Sequence, residues 1–510
     1  MIKFSRLIEN MTWRIEGSSE AEVIGITEDS RAVRPGWIFA AVPGLKFDGR
    51  DFISQAVQNG AVAVMTVAEE DGRLNAIGIP VILVSGKNLR AAMTEAASLI
   101  HDHPAEKMTM IGLTGTNGKT TTAYLVEVML TAAGMNPGVM GTINYRWPGA
   151  VHIAANTTPE GPCLIGALAE MAETGVKAAV LEVSSHGLAL GRLAGLNFDV
   201  ALFTNLSRDH LDFHADFEDY YQVKKRLFTE HLKNGRRNAV INIDDEYGHR
   251  LADELGEQVI SFGFSNEAMV RGSDLNLTRN GLNLTVTVGE KSWPLSSPLL
   301  AEVNAYNLLG TVALGLALGL DSAVICESLG GAVGAPGRLE KIGANSDYLV
   351  LVDYAHSPDA LAKTLKACRD IEPRRLLTVF GCGGDRDKGK RPLMGRLAGE
   401  MADLTIITSD NPRNEEPWNI LLDVEKGLCD LGLSKYNAGE LAADGWYEKS
   451  YLMVADRRTA IREAVNLMMP GDVLLIAGKG HEDYQIIGRE KRHLDDREEA
   501  LAALQKTGRI

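Results

Sequence analysis

The sequence predicts an α/β protein of three domains, with a mainly parallel sheet in the central one. From Ile111 onward, short runs rich in Val, Ile and Leu alternate with longer helix-compatible stretches, the pattern of βαβ units. Glycines and charged residues follow directly on those runs, where open α/β sheets bind ligands. The 510 residues exceed what one core supports at about 150 residues per domain, so ligand clefts between domains are expected.

Taken in order, Met1 to Glu20 mixes Lys3, Arg6, Glu9 and Arg14 among apolar residues and has no signal-peptide core. The polar, Pro-containing segment His101 to Lys107 marks a first boundary and Gly334 to Arg338 a second. The expected domains are therefore 1–106, 107–337 and 338–510. In the central one, Met108 to Leu113 leads into Thr114 to Thr122, Ala178 to Val183 into Ser184 to His186, and Asp199 to Thr204 into Asn205 to Asp212.

The last domain repeats the arrangement. Tyr348 to Val352 precedes Asp353-Tyr354-Ala355-His356, and Leu376 to Phe380 precedes a Gly-rich basic loop, Gly381 to Arg391. Leu404 to Thr408 runs into Asp410-Asn411-Pro412-Arg413, and Val473 to Ile476 into Gly478-Lys479-Gly480-His481-Glu482. Ser434 to Gly445 reads as a surface insertion. No period of 20 to 50 residues recurs, which excludes a solenoid.

Composition narrows the function classes. With 67 acidic against 52 basic side chains the net charge is -15, the wrong sign for gripping nucleic acid or an anionic membrane. The longest apolar stretch, Leu308 to Leu320, is too short to span a bilayer. Cys163, Cys326, Cys368, Cys382 and Cys429 are odd in number, far apart and without a CxxC, so neither a disulfide framework nor a zinc site is expected. A cytoplasmic protein fits these features, and a monomer is expected.

Gly115-Thr116-Asn117-Gly118-Lys119-Thr120-Thr121 stands between a strand and the helix-compatible run Ala123 to Ala133. Glycines let backbone amides close around phosphate oxygens, the helix N-terminus favours negative charge, Lys119 brings a point charge, and the Thr120 hydroxyl suits Mg²⁺. The strict pattern would place Gly at 113, where this chain has Leu113, so the loop is a variant. Mg²⁺ prefers oxygen ligands, and Glu182 at a strand end is the candidate carboxylate; a salt-bridged strand-end carboxylate is the equal alternative. His210 is open in the same way between structural hydrogen bonding and ligation.

On a helix from Asp216 to Leu232, Phe217, Tyr220, Tyr221, Lys224, Leu227 and Phe228 share one face by their spacing of three and four. Lys224 is then either a snorkelling lysine in a basic run or a lysine held inward, where low dielectric favours its neutral amine.

Together these segments resemble the Mur ligases, specifically members that add the third amino acid of the peptidoglycan stem. The resemblance runs through Asp29-Ser30-Arg31, Asp48-Gly49-Arg50, Asn156-Thr157-Thr158-Pro159, Glu182-Val183-Ser184-Ser185-His186, Asn304 to Asn307, Pro336-Gly337-Arg338 and Asp353-Tyr354-Ala355-His356, and it covers nearly the whole chain. It implies an N-terminal α/β domain holding the uridine end of a nucleotide sugar at Glu28, Ser30, Leu45, Lys46 and Phe47. A P-loop-type ATPase domain and a Rossmann-like C-terminal domain would follow. Asn156, Thr157, Thr158, Ser184 and Arg192 match positions that hold the muramoyl-dipeptide; many relatives carry Gln where this chain has Leu190.

By the same resemblance, Lys224 matches a lysine carbamylated by CO₂, which turns a cation into an anionic oxygen ligand. Thr120, Glu182, His210 and Lys224 would be the metal positions, and Lys119, Lys224 and His210 the catalytic ones. ATP would meet the 115–121 loop with Asn304, Arg338 and Asp353. Asp410-Asn411-Pro412-Arg413 is similar to the signature of members accepting meso-diaminopimelate, with Arg386, Gly478 and Glu482 completing the amino-acid site. A guanidinium can grip the distal carboxylate of diaminopimelate bidentately, which lysine lacks.

The implied activity is an ATP-dependent amide ligase of peptidoglycan precursor synthesis. It would join UDP-MurNAc-L-Ala-D-Glu to meso-diaminopimelate through an acyl phosphate, with Mg²⁺. The alternatives are a lysine-adding member, another ligase of the superfamily such as folylpolyglutamate synthetase, and a non-catalytic ATP-binding regulator. Small-molecule substrates, and neither nucleic acid nor membrane, are the expected partners.

Overall fold

The apolar runs form strands in a computed structural model that describes residues 2–9, 14–17, 20–44, 47–68, 77–235, 237–343, 347–437, 440–441 and 448–510. Contacts divide the chain into two compact units. The first comprises Met1–Arg271, Thr287–Lys291 and Tyr306–Ser328, and the second Gly272–Val286, Ser292–Ala305 and Leu329–Ile510. The expected boundary at 106/107 thus falls within the first unit.

In the first unit, an N-terminal sheet runs in the order Arg14–Glu16, Val81–Val84, Ala61–Val67, Trp37–Ala40, Gly25–Thr27. It is parallel except at Arg14–Glu16. The central sheet runs Ala150–Ile153, Asn144–Trp147, Pro137–Met140, Ala178–Glu182, Thr109–Thr114, Val200–Phe203, Ala239–Asn242, Val259–Gly263. From Pro137–Met140 to Val259–Gly263 every pairing is parallel. Ala178–Glu182 is buried at all positions, as strands covered on both faces by helices must be, and so reads as an unbroken apolar run rather than an alternating one.

Order decides where the site lies. The chain enters this sheet at Thr109–Thr114 and proceeds to one side through Pro137–Met140, then to the other through Val200–Phe203. The loop after Thr114 therefore opens at the switch point, between the carboxyl ends of Ala178–Glu182 and Val200–Phe203. Asp216 caps the helix Phe217–Thr229 by accepting from the Asp219 N–H, a contact worth about 1 kcal/mol. That helix buries Tyr220, Tyr221, Lys224, Leu227 and Phe228.

The second unit carries a seven-stranded sheet in the order Glu340–Ile342, Leu349–Asp353, Val473–Ala477, Leu376–Cys382, Leu404–Ser409, Ser450–Met453, Ser434–Lys435. Only Glu340–Ile342 pairs antiparallel. One apolar cluster on this sheet includes Leu365, Phe380, Met394 and Val424; another includes Val379, Ile406, Ile461 and Leu504. The carboxyl ends of Val473–Ala477, Leu376–Cys382 and Leu404–Ser409 stand side by side, so three predicted loops share one edge. Of the expected insertion, 438–439 and 442–445 lie outside the described residues, and Ser434–Lys435 forms an edge strand.

Candidate active site

The phosphate-type loop is built by backbone conformations that few residues adopt. Gly115 has φ +142° and Gly118 φ +89°, and a Cβ on Gly115 would lie 1.9 Å from Thr204 Oγ1, so a side chain there would push the loop off its neighbour. Thr204 Oγ1 donates to the Asn117 carbonyl at 2.7 Å, the Asn117 N–H donates to Asn205 Oδ1 at 3.0 Å, and Thr116 Oγ1 donates to the Ser207 carbonyl at 3.2 Å. The helix Lys119–Ala132 begins at once, its N-terminus facing the loop.

Lys119 Nζ reaches back to the carbonyls of Gly115 at 2.7 Å and Thr116 at 3.1 Å. Lys224 Nζ donates to the same Gly115 carbonyl at 2.8 Å. Only 1% exposed, Lys224 is the inward lysine of the two readings. Burial, with the charge of Lys119 second, pushes its amine well below the ordinary lysine range, and Asp209 opposes. His210 holds a left-handed backbone, φ +54°; its ring lies 5.0 Å from that of His186 and 6.1 Å from that of Tyr220. Burial lowers its imidazole pKa, Asp209 opposing.

Glu182 is 2% exposed and fully engaged. Thr120 Oγ1 donates to Oε2 at 2.8 Å, Thr142 Oγ1 to the same oxygen at 2.9 Å, and the Thr142 N–H to Oε1 at 3.1 Å. Gly141 makes room, since a Cβ there would lie 2.0 Å from Oε1. Thr142 Oγ1 also lies 3.1 Å from Thr157 Oγ1. A chain of oxygens thus links the phosphate loop to the predicted muramoyl-dipeptide motif. Thr142 was not anticipated; its only sequence signal is a Gly-Thr pair after a strand.

Among the described residues, no three His, Cys, Asp or Glu side chains gather at a metal-sized point. Carboxylate and hydroxyl oxygens of Glu182, Thr120 and Thr142 within hydrogen-bond distance of one another are nevertheless the hard donor set Mg²⁺ takes, and it keeps waters for its other positions. The residues fit that ion. No contact joins His210 to Glu182 among the described residues.

Around the dipeptide motif, Thr158 Oγ1 donates to the Glu182 carbonyl at 2.8 Å and accepts from the Ser184 N–H at 2.9 Å. Arg192 donates to the Thr158 carbonyl at 2.8 Å and pairs with Glu160 at 2.6 Å. Glu160, a further residue not anticipated, also faces Arg90 at 3.4 Å. Burial and the charge of Glu160 raise the Glu28 carboxyl pKa. The Asn156 carbonyl accepts from Tyr145 OH at 2.5 Å. In the N-terminal sheet region, Ser30 Oγ donates to Gln55 Oε1 at 2.7 Å, and Phe47 is 75% exposed; Leu45 and Lys46 lie outside the described residues.

The second unit holds the remaining predicted positions. Asp353 accepts from the N–H groups of Leu339 and Ala355, each at 2.9 Å; burial raises its carboxyl pKa against the opposing charge of Arg338. Arg338 lies over the Tyr354 ring at 4.7 Å. A Cβ on Gly337 would meet the Gly480 carbonyl carbon at 2.1 Å, so these two backbones touch directly. Asn304 Nδ2 donates to the Leu300 carbonyl at 2.7 Å.

At the shared edge, Asn411 Nδ2 donates to Glu482 Oε2 at 3.2 Å. Arg413, left-handed at φ +51°, donates to the Gly384 carbonyl at 2.8 Å. A Cβ on Gly383 would be 3.0 Å from Arg413 Nη1 and 3.7 Å from Arg386 Cγ, so both guanidinium-bearing chains border that glycine. A Cβ on Gly384 would lie 1.9 Å from the Pro412 carbonyl oxygen. Gly478 has φ +118°, and its N–H donates to the Asp353 carbonyl at 3.0 Å. Beneath the edge, fully buried Arg391 donates to Glu415, Asp423 and the Gly383 carbonyl. Arg457, also fully buried, pairs with Asp496 and donates to the Ala477 carbonyl.

Comparison with known proteins identifies the family. The Mur ligase family catalytic domain matches residues 22–100, the Mur ligase middle domain 113–315 and the Mur ligase glutamate ligase domain 337–480. The UDP-N-acetylmuramoyl-L-alanyl-D-glutamate--2,6-diaminopimelate ligase of Geobacter metallireducens is 46% identical over 494 residues, covering 96% of each chain. Its counterpart from Geobacter sulfurreducens is 45% identical over 497 residues, covering 97% of this chain and 96% of its own. A solved structure of an enzyme of that name superposes with a TM-score of 0.69 at 31% identity over 99% of each chain. These matches run through nearly the whole chain, and the chain belongs to the Mur ligase family.

Proposed function

We propose that this ligase joins the γ-carboxylate of D-glutamate in UDP-MurNAc-L-Ala-D-Glu to an amine of meso-diaminopimelate, converting ATP to ADP and phosphate, in the cytoplasm. The observation that carries the amino-acid choice is the strand edge where Asn411 binds Glu482 and Arg413 borders Gly383 beside Arg386. That edge offers guanidinium groups for a distal carboxylate and a carboxylate for an ammonium.

A carboxylate is a poor acyl donor because its leaving group would be oxide. Attack of the γ-carboxylate on the γ-phosphorus of ATP makes an acyl phosphate and releases ADP; the amine then adds to the acyl carbon, and phosphate leaves from the tetrahedral intermediate. Lys119 and the backbone amides at the start of Lys119–Ala132 face the charge spread over the transferred phosphoryl group. Thr120 and Glu182 would hold a Mg²⁺, which would supply further charge neutralisation there. Thr157, hydrogen-bonded to Thr142, and Arg192, braced by Glu160, orient the dipeptide. Lys224 as a carbamate would supply, with His210, oxygen and nitrogen donors for a second cation.

Phosphate release measured with the nucleotide-sugar substrate, ATP and either meso-diaminopimelate or lysine tests the reading. Release dependent on diaminopimelate is expected. Preference for lysine would overturn the amino-acid assignment, and ADP formation independent of any acceptor would overturn the ligase reaction.

A further inference from the structure

Lys479 is buried completely, with 0% side-chain exposure, yet sits between two carboxylates: Asp410 Oδ1 at 3.3 Å and Glu482 Oε2 at 3.6 Å. Its Nζ also donates to Asn411 Oδ1 at 3.2 Å and to the Tyr484 carbonyl at 2.5 Å. The second acceptor position on Asn411 Oδ1 is taken by the Ile486 N–H at 2.9 Å. Asn411 is thereby fixed in one amide orientation: its oxygen faces Lys479 and Ile486, and its NH₂ faces Glu482 at 3.2 Å.

These partners come from different strands. Asp410 and Asn411 follow Leu404–Ser409, whereas Lys479 and Glu482 follow Val473–Ala477, and Leu376–Cys382 lies between the two in the sheet. One ammonium therefore adds a side-chain tie between two loops that also meet through the main-chain bridge of Arg413 with Ile487 and the Gln485 amide donating to the Asp410 carbonyl at 2.6 Å. It also settles a charge count. Asp410 and Glu482 side by side in a buried setting would repel; with Lys479 between them, one net negative charge remains.

We propose that Lys479 is a positioning residue for the acceptor amino acid. It locks Asn411 and Glu482 into one recognition surface across the intervening strand and cancels one of two carboxylate charges, so that the surface presents a single negative charge to the acceptor's ammonium. This inference rests on the amino-acid site proposed above. A lysine so enclosed does not touch the substrate; it acts through Asn411 and Glu482.

The test is the full chain with Lys479→Met, and with Lys479→Met combined with Asp410→Asn. The double variant removes the cation together with one anion, because a single removal leaves a buried charge without its partner and is strongly destabilising. Thermal melting checks folding, and steady-state phosphate release gives the KM of each substrate. In whichever variant folds, the KM for diaminopimelate should rise, at least about tenfold in Lys479→Met, one charge-assisted contact's worth, and less in the double variant, which keeps one net negative charge, with kcat and the KM values for ATP and the nucleotide sugar nearly unchanged. An unchanged KM for diaminopimelate, an equal rise for all three substrates, or failure of both variants to fold would each overturn the proposal. Wild-type protein run in parallel separates the two levels. If it shows no diaminopimelate-dependent release, the site reading fails and Lys479's role falls with it; normal wild-type release with unaffected variants sinks the role of Lys479 alone.

Discussion

Lys119 and Lys224 donate to one acceptor, the Gly115 carbonyl oxygen, at 2.7 Å and 2.8 Å. Two amines on one oxygen compete for a single partial negative charge, and the buried member yields its proton more readily. Burial that favours the neutral form of an amine also favours its reactivity as a nucleophile.

Lys224→Ala should therefore lower kcat by about two orders of magnitude or more, the scale of losing one group that stabilises transition-state charge. If an anionic oxygen is what Lys224 supplies, added formate or acetate restores part of the activity in the alanine variant. Phosphate release reads both effects, and full activity without additives would refute the role.

Arg413→Ala should raise the KM for diaminopimelate by about 10- to 100-fold, from roughly 1.5–3 kcal/mol for a hydrogen bond to a charged group, and leave that for ATP near its wild-type value. Its tether to the Gly384 carbonyl and left-handed backbone mean that Arg413→Lys should not restore recognition, since a point charge lacks the planar fork. Equal changes for the two substrates would count against the assignment.

Arg457 and Asp496 have 0% side-chain exposure each. Removing one partner strands the other's charge, so Arg457→Met should cost about 3–5 kcal/mol, whereas Arg457→Met with Asp496→Leu should recover most of it. Urea unfolding of the three proteins checks the difference; a double variant as unstable as the single one would contradict it.

His481 supplies a pH dependence. Burial first, then the charges of Arg338 and Arg497, lower its pKa from 6.5 to about 4. The unfolded chain thus binds the proton more tightly than the native one, so the stability it contributes is fully present above pH 6.5 and falls as pH drops towards about 4. Melting temperatures across that range should fall less steeply for His481→Gln than for wild type; parallel curves would rule His481 out.

How much was legible follows from what each residue's signal depends on. Apolar runs gave the strands, but Thr109–Thr114, Leu349–Asp353 and Leu404–Ser409 each extend one residue further than their apolar runs. Thr114, Asp353 and Ser409 are polar, and strand pairing is a backbone property indifferent to side-chain polarity: Asp353 stands opposite Ala477. The helix after the phosphate loop likewise starts at Lys119 rather than Ala123, because Thr120, Thr121 and Thr122 are buried while looking polar. The Lys224 face was readable since helical spacing is local. Thr142 on Glu182, Glu160 on Arg192 and Lys479 between two loops were not, because each contact joins residues far apart in the chain, and only the sheet order brings them together.

The bare contact of Gly337 with Gly480 has a consequence for how this protein can change over generations. The segment carrying Arg338 and the loop carrying Glu482 meet with no side chain between them, so even one methyl group at Gly337 must displace the opposing main chain. Neither glycine can drift to alanine alone.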